Sequence, residues 1–251
     1  MPRAPRVPKE RLDALLVARG LAETLAQARA LLLAGRVRVS GVAADKAGQA
    51  VASDCDLRVE APRRRFVSRA GEKLDAALSH FAVAVGGRIC VDIGASTGGF
   101  TDCLLRRGAA RVYAVDTGRG RIDAGLRADP RVVMRERTNA RYLSAEDLPE
   151  APALAVLDVS FISLSKILPP LSELLAPGAE VLALVKPQFE APREAVPRGG
   201  IVRDPAVREA AVAGVARAGE SCGLAVAGDP FVSPTPGAGG NVEVFLRFRK
   251  G

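Results

Sequence analysis

Apolar residues in the first 60 positions repeat at helical spacing and then alternate with polar ones. Two helices are predicted, over 11–19 and 22–34, and a glycine follows each of them as a stop signal. RVRVSG then alternates basic and apolar residues, as a half-buried strand does, and two further short strands are predicted near 49–51 and 56–59. We therefore predict a small α+β unit over residues 1–61.

From residue 66 onward, apolar runs of strand length alternate with helical segments. The runs are RICVDIG, RVYAVD, RVVMRE, LAVLDVS and EVLALVK. Such alternation predicts an α/β fold with a Rossmann-like, doubly wound, mostly parallel sheet of about seven strands. At the end of the chain, LAVAGDPFVS and GNVEVFLRFR are joined by the turn-rich PTPGAGG without a helix. We expect these last two strands to form an antiparallel hairpin at one edge of the sheet.

The charge of the chain is concentrated at its beginning. Residues 1–65 hold 13 Lys+Arg against 7 Asp+Glu, whereas the remaining residues hold 23 against 21. This excess predicts a polyanion-binding front end, with nucleic acid as the usual partner, although an arginine-rich composition alone could also produce it. PRRR at 62–65 is predicted to be an Arg-rich linker. Candidate RNA contacts are Arg11, Arg19, Arg29, Arg36, Arg38, Arg63, Arg64, Arg65 and Arg69.

Several classes of protein fit the sequence poorly. No run reaches the roughly 18 to 20 apolar residues of a membrane helix, and MPRAPRVPKERLD lacks the apolar core of a signal peptide, so we expect a cytoplasmic protein. The four cysteines have no CxxC spacing and His80 is the single histidine. Neither a metal site nor a Cys-His or Ser-His pair is predicted, and the cysteines are interpreted as buried or unreactive thiols.

A glycine-rich turn, VDIGASTGGFTD, follows the first strand of the predicted sheet. Its spacing differs from G-x-G-x-x-G, and it lacks the Lys-Ser/Thr of a triphosphate loop. Asp92 would face the sulfonium and amino-acid portion of S-adenosylmethionine but would repel a pyrophosphate. Asp116 ends the next strand, where it can accept hydrogen bonds from ribose hydroxyls. We predict a methyl-donor site, the alternative being a turn that the glycines merely tighten. Candidate cofactor-binding residues are Asp92, Gly94, Ser96, Thr97, Gly98, Gly99, Phe100, Asp116, Asn139 and Asp158.

Ionisable residues end the apolar strands of the predicted sheet, among them Asp158 and Lys186. Ligands of doubly wound sheets bind at these carboxyl ends. Methyl transfer to an alcohol requires an aligned acceptor and removal of its proton, and a desolvated lysine fixed by a carboxylate can remove it. Lys186 with Asp158 is the candidate pair. From its local sequence alone, Lys73 is interpreted as a solvated helix residue. Glu243 is likewise interpreted as an outward-facing charge on an edge strand.

Five motifs, SRAGEKL, DIGASTGGFTD, LDVSFISL, LVKPQFE and GNVEVF, follow the front end RLDALLVARGLAETLAQAR in this order. Together they resemble the TlyA family of ribosomal RNA 2'-O-ribose methyltransferases, also called haemolysins. The resemblance covers essentially the whole chain. It implies an S4 RNA-binding domain at 1–61, a linker at 62–65 and an FtsJ-like class I methyltransferase domain at 66–251.

The resemblance also assigns the chemistry. It implies a catalytic Lys-Asp-Lys-Glu tetrad of Lys73, Asp158, Lys186 and Glu243, against the local interpretation of the first and last of these. S-adenosylmethionine is the implied cofactor. The implied reaction is 2'-O-methylation of a cytidine in ribosomal RNA, with ribosomal RNA or ribosomal subunits as partners.

Other interpretations stay open at this stage. DVSF at 158–161 occupies the place of the D/N-P-P-Y/F motif of amino-group methylases, but it lacks the prolines and leaves Lys186 without a role. Phe161 is interpreted either as a stacking partner of a flipped base or as a core aromatic. A membrane-active haemolysin and an S4-type RNA-binding or ribosome-assembly protein without catalysis are the non-enzymatic alternatives. Pro187 is expected to end the strand, so that PQFE leaves the sheet as a loop, and the segment 190–205 is predicted to be a long mobile loop beside the site.

Overall fold

The structure is a computed structural model that describes residues 7–60 and 65–251. The chain divides into two units, Met1–Arg63 and Arg64–Gly251, and each has a hydrophobic core of its own. Of the predicted linker at 62–65, only Arg65 lies within the described residues. No helix in the described part of the chain is long and apolar enough to cross a membrane.

The first unit contains the two predicted helices and short antiparallel strands. Its elements are β1 (Lys9–Arg11), α1 (Leu12–Ala18), α2 (Leu25–Leu33), β2 (Val37–Val39), β3 (Val42–Ala44), β4 (Ala50–Ala52) and β5 (Leu57–Val59). β1 pairs with β4, and β2 lies between β3 and β5. Leu12, Leu16 and Leu32 of the helices are fully buried together with Val37 of β2. β1 and β3 were not predicted from the sequence; β1 (KER) contains no apolar residue and so shows no alternation.

The second unit alternates strands and helices as expected. Its helices are α3 (Arg69–His80), α4 (Gly99–Arg106), α5 (Ala124–Ala128), α6 (Leu168–Leu174), α7 (Pro187–Glu190) and α8 (Pro205–Glu220). Its strands are β6 (Ile89–Ile93), β7 (Arg111–Asp116), β8 (Val132–Glu136), β9 (Leu154–Leu157), β10 (Glu180–Val185), β11 (Leu224–Val226), β12 (Phe231–Val232) and β13 (Val244–Lys250).

These strands form one sheet in the order β11-β13-β10-β9-β6-β7-β8, with β12 paired to β13. Strands β6 to β10 pair with one another in parallel. In contrast, β13 is antiparallel to each of its partners β10, β11 and β12. The mostly parallel seven-stranded path and the antiparallel hairpin at one edge are therefore confirmed. Because the last strand inserts between β11 and β10, β13 is an interior strand.

Helices cover both faces of this sheet. Leu74 of α3 and Leu104 of α4 share one apolar cluster with Cys90, whereas Leu168 of α6 shares the opposite cluster with Val91. Neighbouring residues of β6 therefore point to opposite layers, as the two-residue period of a strand requires. Burial on both faces explains why these strands read as continuous apolar runs in the sequence.

The segment after Lys186 differs from its prediction. PQFE was expected to leave the sheet as a loop, but Pro187–Glu190 forms a single helical turn, α7. Proline is compatible with the first position of a helix, where no backbone donor is needed. Most of the segment between α7 and α8 is irregular. Asn241 holds its last part by two hydrogen bonds: its Oδ1 accepts from Val202 N at 2.9 Å and its Nδ2 donates to Gly200 O at 2.8 Å.

Candidate active site

Lys186 and Asp158 follow the neighbouring parallel strands β10 and β9 directly. The Lys186 Nζ atom lies 2.6 Å from Asp158 Oδ1, and it donates a hydrogen bond to Ser160 Oγ at 3.0 Å. Both charged side chains are mostly buried. The register of the two strands therefore holds an ammonium group and a carboxylate together at the edge where ligands of such sheets bind.

Lys73 and Glu243 form a second buried pair. Lys73 Nζ donates to Glu243 Oε2 at 2.5 Å, and the two residues are only 8% and 2% exposed. The local interpretations of a solvated helix residue and an outward edge charge are therefore wrong. Lys73 lies on the buried face of α3, and Glu243 precedes the interior strand β13.

Gly237 makes room for the second pair, which no local sequence pattern indicates. A Cβ atom at Gly237 would lie 2.1 Å from Glu243 Oε1, far inside van der Waals contact. The residue's φ of −65° is open to any amino acid, so the close approach of the carboxylate is the reason that glycine is needed here.

All four residues of the predicted tetrad line one cavity of about 510 Å³. Ser160, Phe161 and Phe189 also line it, and so does Gly94 of the glycine-rich turn. The structure thus brings together residues from five places in the chain: α3, the turn after β6, and the segments that follow β9, β10 and β12. Two ammonium groups and two carboxylates in one cavity can bind, orient and deprotonate a polar substrate.

The glycines of the turn after β6 have separate physical roles. Gly94 has a φ of +89°, and a Cβ there would lie 2.3 Å from Asp158 O. Gly98, with a φ of +93°, caps α4 in the left-handed conformation. A Cβ at Gly99 would lie 2.2 Å from Ser68 Oγ, so this glycine lets α4 approach the segment before α3. Glycine at position 94 therefore lets the turn approach the Asp158 backbone closely.

Asp116 ends β7 and lies beside a second cavity, of about 1220 Å³. Its Oδ2 accepts from Ser96 N at 2.8 Å and its Oδ1 accepts from Gly118 N at 2.6 Å. Asn139 lines the same cavity and caps a short helical turn by accepting from Arg141 N at 3.1 Å. The carboxylate is therefore held in a fixed orientation at the strand end, as a ribose-binding residue requires.

Asp92 is placed differently from the other predicted cofactor residues. It is fully buried, and it lines neither of the two cavities described above. Its Oδ2 accepts from Thr101 Oγ1 at 2.6 Å, whereas its Oδ1 has no hydrogen-bond partner within the described residues. Burial raises the pKa of Asp92 to about 7, and the neighbouring Asp158 and Asp116 add to that rise. The carboxyl group lies in the sheet beneath the turn.

The remaining cofactor candidates surround the turn. Ser96, Thr97, Gly99 and Phe100 line the smaller cavity, while Gly98 serves as the helix cap without lining it. Gly94, Ser96 and Asp158 border both cavities. A glycine-rich turn, an oriented carboxylate at the next strand end and an adjoining polar pocket fit S-adenosylmethionine in shape and chemistry.

Of the arginines predicted to bind RNA in the first unit, two share one acid. Arg11 and Arg29 both hydrogen bond to Asp13 in α1, which is 1% exposed. Hydrogen bonds from Arg11 outweigh burial and lower the pKa of Asp13 to about 2. The two guanidinium groups stay more than half exposed, so they still present donors to solvent.

The other predicted RNA contacts differ in their partners. Arg19 donates to Cys55 O and Ser53 O, Arg36 to Glu60 O, and Arg38 to the Glu60 carboxylate. In the second unit, Arg65 pairs with Asp75 at 2.6 Å. Arg69, at the start of α3, lines the tetrad cavity. Arg63 and Arg64 lie outside the described residues.

Phe161 is 91% exposed, so its interpretation as a core aromatic is wrong. Its φ of +66° lies in the left-handed region that side chains disfavour. The ring centroid is 5.0 Å from that of Phe189, and both rings line the cavity with Lys186. An exposed aromatic in a strained conformation at a cavity is typical of a functional position.

Metal and thiol chemistry have little support in the described residues. They contain no group of three or more His, Cys, Asp or Glu side chains that could hold a metal ion. Cys90 and Cys103 are buried, and burial raises the pKa of each thiol to about 12. Burial therefore disfavours the reactive thiolate form of these two cysteines.

Comparison with known proteins agrees with this geometry. Residues 66–250 match the family model of the FtsJ-like methyltransferases, and residues 10–54 match that of the S4 domain. The fold is also found in an S-adenosylmethionine-dependent methyltransferase from Mesorhizobium loti, with 19% identity, a TM-score of 0.53 and coverage of 73% of this chain and all of that one. The fold and the cavity thus define a methyltransferase with an S4 unit.

More similar relatives give the family. The chain is 48% identical over 242 residues to the 16S/23S rRNA (cytidine-2'-O)-methyltransferase TlyA of Mycobacterium tuberculosis, covering 96% of this chain and 90% of that protein. It is 41% identical to Hemolysin A of Brachyspira hyodysenteriae, covering 95% and 99%. A solved structure from Streptococcus thermophilus that carries the hemolysin name has 43% identity, a TM-score of 0.73 and coverage of 98% and 90%. This chain belongs to the TlyA family of FtsJ-like methyltransferases.

Proposed function

We propose that this protein methylates the 2'-hydroxyl of a cytidine in ribosomal RNA, with S-adenosylmethionine as methyl donor. The observation that carries the proposal is the convergence of the Lys186–Asp158 and Lys73–Glu243 pairs on one cavity beside the glycine turn. The reaction named for the relative in Mycobacterium tuberculosis is of this kind. The basic front end and the S4 match support an RNA substrate.

S-adenosylmethionine, when bound, supplies an electrophilic methyl group. The protein must then hold the acceptor oxygen in line and take up its proton. Lys186, in its neutral form, takes the proton of the 2'-hydroxyl, while Asp158 and Ser160 fix the position of its Nζ atom. Lys73 and Glu243 orient the ribose from the other side of the cavity. Asp116 and Asn139 hold the donor in the adjoining pocket.

The acceptor nucleotide has to leave its stack to reach this cavity. The exposed ring of Phe161, beside Phe189 and Lys186, offers a face on which the extruded base stacks. Arg69 at the cavity and the arginines of the first unit supply charge for the RNA phosphates. A ribosomal RNA substrate implies that the protein acts where ribosomes are found, in the cytoplasm.

Amino-group methylation of a base fits the site less well. That chemistry receives the amine with backbone carbonyl groups after D/N-P-P-Y/F, whereas DVSF at 158–161 has no proline. Lys186, buried against Asp158, would have no role in it. A ribose hydroxyl is the weak acid for which a lysine base is needed.

The test is transfer of labelled methyl groups from S-adenosylmethionine to purified ribosomal subunits and to free ribosomal RNA. Nuclease digestion and chromatography then locate the label. We expect it in ribose-methylated cytidine with the wild-type protein, and at background level with Lys186→Ala. Label in the base, or an unchanged rate for Lys186→Ala, would contradict the proposal.

The hemolysin name of some relatives calls for a parallel measurement. Red-cell lysis is compared between wild-type protein and Lys186→Ala at equal concentration. Because methyl transfer is the proposed activity, we expect no lysis by either protein. Lysis by Lys186→Ala at a high level, without methyl transfer by the wild type, would favour membrane activity instead.

A further inference from the structure

Glu190, the last residue of LVKPQFE, joins two segments of the active site. Its Oε2 accepts from Ser163 Oγ at 2.6 Å and its Oε1 accepts from Leu164 N at 2.9 Å. Ser163 and Leu164 belong to the segment that follows Asp158, whereas Glu190 ends the helical turn that follows Lys186. One carboxylate therefore connects the continuations of the two strands that carry the central pair.

The residues next to these contacts are the aromatic ones at the cavity. Phe189 precedes Glu190 directly, and Phe161 precedes Ser163 by two positions; their ring centroids are 5.0 Å apart. Phe161 holds a left-handed φ of +66°, a conformation that persists only where surrounding contacts impose it. The Glu190 contacts hold the backbone at Leu164, three residues after Phe161 and at the start of the helical turn Leu164–Lys166.

The chemistry of Glu190 suits this task. Within the described residues the carboxylate accepts only from a hydroxyl and a backbone amide, and no cation pairs with it. Both oxygens are thus used to hold the backbone, and the half-buried position keeps these hydrogen bonds away from water. Burial also raises the pKa of Glu190.

We propose that Glu190 is a positioning residue for the acceptor nucleotide, because it holds the segment after Asp158 against the segment after Lys186 and so sets the spacing of Phe161 and Phe189. This role rests on the proposed RNA substrate. It assigns no contact between Glu190 and the reacting atoms. Removing the carboxylate should loosen the rings at the cavity and leave the hydrogen bonds of Asp116 and Asn139, the proposed donor-binding residues, in place.

The experiment compares Glu190→Ala and Glu190→Gln with wild-type full-length protein. Glutamine can keep both contacts, because its oxygen accepts from Leu164 N and its amide donates to Ser163 Oγ. Alanine removes both. A matched control is Glu194→Gln, which makes the same charge change at an exposed side chain without hydrogen bonds or ion pairs in the described residues.

Amide hydrogen exchange measured by mass spectrometry gives the first readout. We expect faster exchange at 159–166 in Glu190→Ala, and wild-type exchange there in Glu190→Gln and Glu194→Gln. Wild-type exchange at 159–166 in Glu190→Ala would overturn the proposal. This arm needs no methyl transfer, so it separates a failure of the Glu190 role from a failure of the proposed reaction.

Kinetics with a ribosomal RNA fragment and direct binding of that fragment give the second readout. For Glu190→Ala we expect about a tenfold rise in KM and in the Kd of the fragment, with kcat and the affinity for S-adenosylmethionine close to wild type. Glu190→Gln should restore both constants. Equal losses of RNA affinity, donor affinity and thermal stability would show a general role in folding and overturn the proposal, as would unchanged RNA affinity.

Discussion

The ammonium group of Lys186 lies 2.6 Å from a carboxylate oxygen of Asp158 because the two residues end neighbouring parallel strands. In the sheet, Ala183 of β10 is level with Leu157 of β9, so the chain leaves both strands at the same edge. The backbone hydrogen bonds of the sheet therefore bring the starting points of the two side chains together. A base held in place in this way is what proton removal during an in-line displacement requires.

Two substitutions at Lys186 separate its charge from its basicity. Lys186→Ala should lower kcat by about 10² to 10⁴, the usual contribution of a general base. Lys186→Arg keeps a cation, but a guanidinium group cannot give up its proton at neutral pH, so we expect a similar loss. Single-turnover methyl transfer measures both rates. Substantial activity in Lys186→Arg would show that positive charge, and not proton uptake, is the contribution of this residue.

Gly237 provides a test of the Glu243 position that leaves every charged residue in place. Gly237→Ala puts a Cβ atom 2.1 Å from Glu243 Oε1, so the carboxylate must shift from its present position against Lys73. Displacement of about an ångström at a catalytic site can cost on the order of 10² in rate. We expect a fall in kcat of about 10- to 100-fold in methyl transfer assays.

The matched control for that substitution is Gly214→Ala in α8. A Cβ atom there meets nothing within 4 Å, and alanine favours a helix by about 1 kcal/mol over glycine. Activity should therefore stay at the wild-type level, with equal or higher thermal stability. A normal rate in Gly237→Ala would mean that Glu243 has room to adjust without loss of function.

The parts of the site differ in how far the sequence alone could predict them. Lys186 and Asp158 follow apolar strands, and the doubly wound pattern places such ends together, so their pairing could be derived from local signals. Lys73 and Glu243 lie 170 residues apart, and their burial depends on the insertion of β13 into the sheet. No local pattern reports that insertion, and only the resemblance to a family grouped these two residues with Lys186 and Asp158.

Short features were missed for a similar reason. Glycine is needed at position 237 because a carboxylate oxygen of Glu243, six residues further along the chain, lies against it. The exposure of Phe161 depends on a left-handed backbone conformation that the sequence DVSF does not predict. The turn α7 was expected to be a loop because proline usually ends a strand ladder. Packing in three dimensions, rather than propensity, decided each of these cases.

Two substitutions at Phe161 separate the effect of its ring from the effect of its strained backbone. Phe161→Gly removes the ring and also relieves the left-handed strain, which costs on the order of 1–3 kcal/mol for a residue with a side chain. Phe161→Ala removes the ring but keeps the strain. Thermal unfolding should therefore rank glycine at or above alanine in Tm.

RNA affinity should fall in both Phe161 variants. Stacking of a base on an aromatic side chain is worth about 1–3 kcal/mol, so the KM for ribosomal RNA should rise by about 5- to 100-fold, more than any loss of affinity for S-adenosylmethionine. A KM equal to that of wild type in both variants would exclude Phe161 as the stacking face.

The buried carboxyl of Asp92 predicts an unusual dependence of stability on pH. Its pKa rises from an ordinary 3.8 to about 7 in the folded protein, with burial as the main cause. Between these values the folded state binds a proton that the unfolded state lacks, so this group's contribution to stability falls as the pH rises and is fully lost above about 7. Asp92→Asn stays neutral throughout and can still accept from Thr101 Oγ1.

Urea unfolding of both proteins at pH 5, 6, 7 and 8 isolates this effect, since all other titrating groups are shared. The free energy of unfolding of Asp92→Asn should gain on that of wild type by on the order of 2–3 kcal/mol from pH 5 to pH 8, at no more than about 1.4 kcal/mol per pH unit. The gain should level off above pH 7. A constant difference across the series would show that Asp92 is ionised in the folded protein at every pH tested, which would require a compensating cation or bound water at its unpartnered Oδ1.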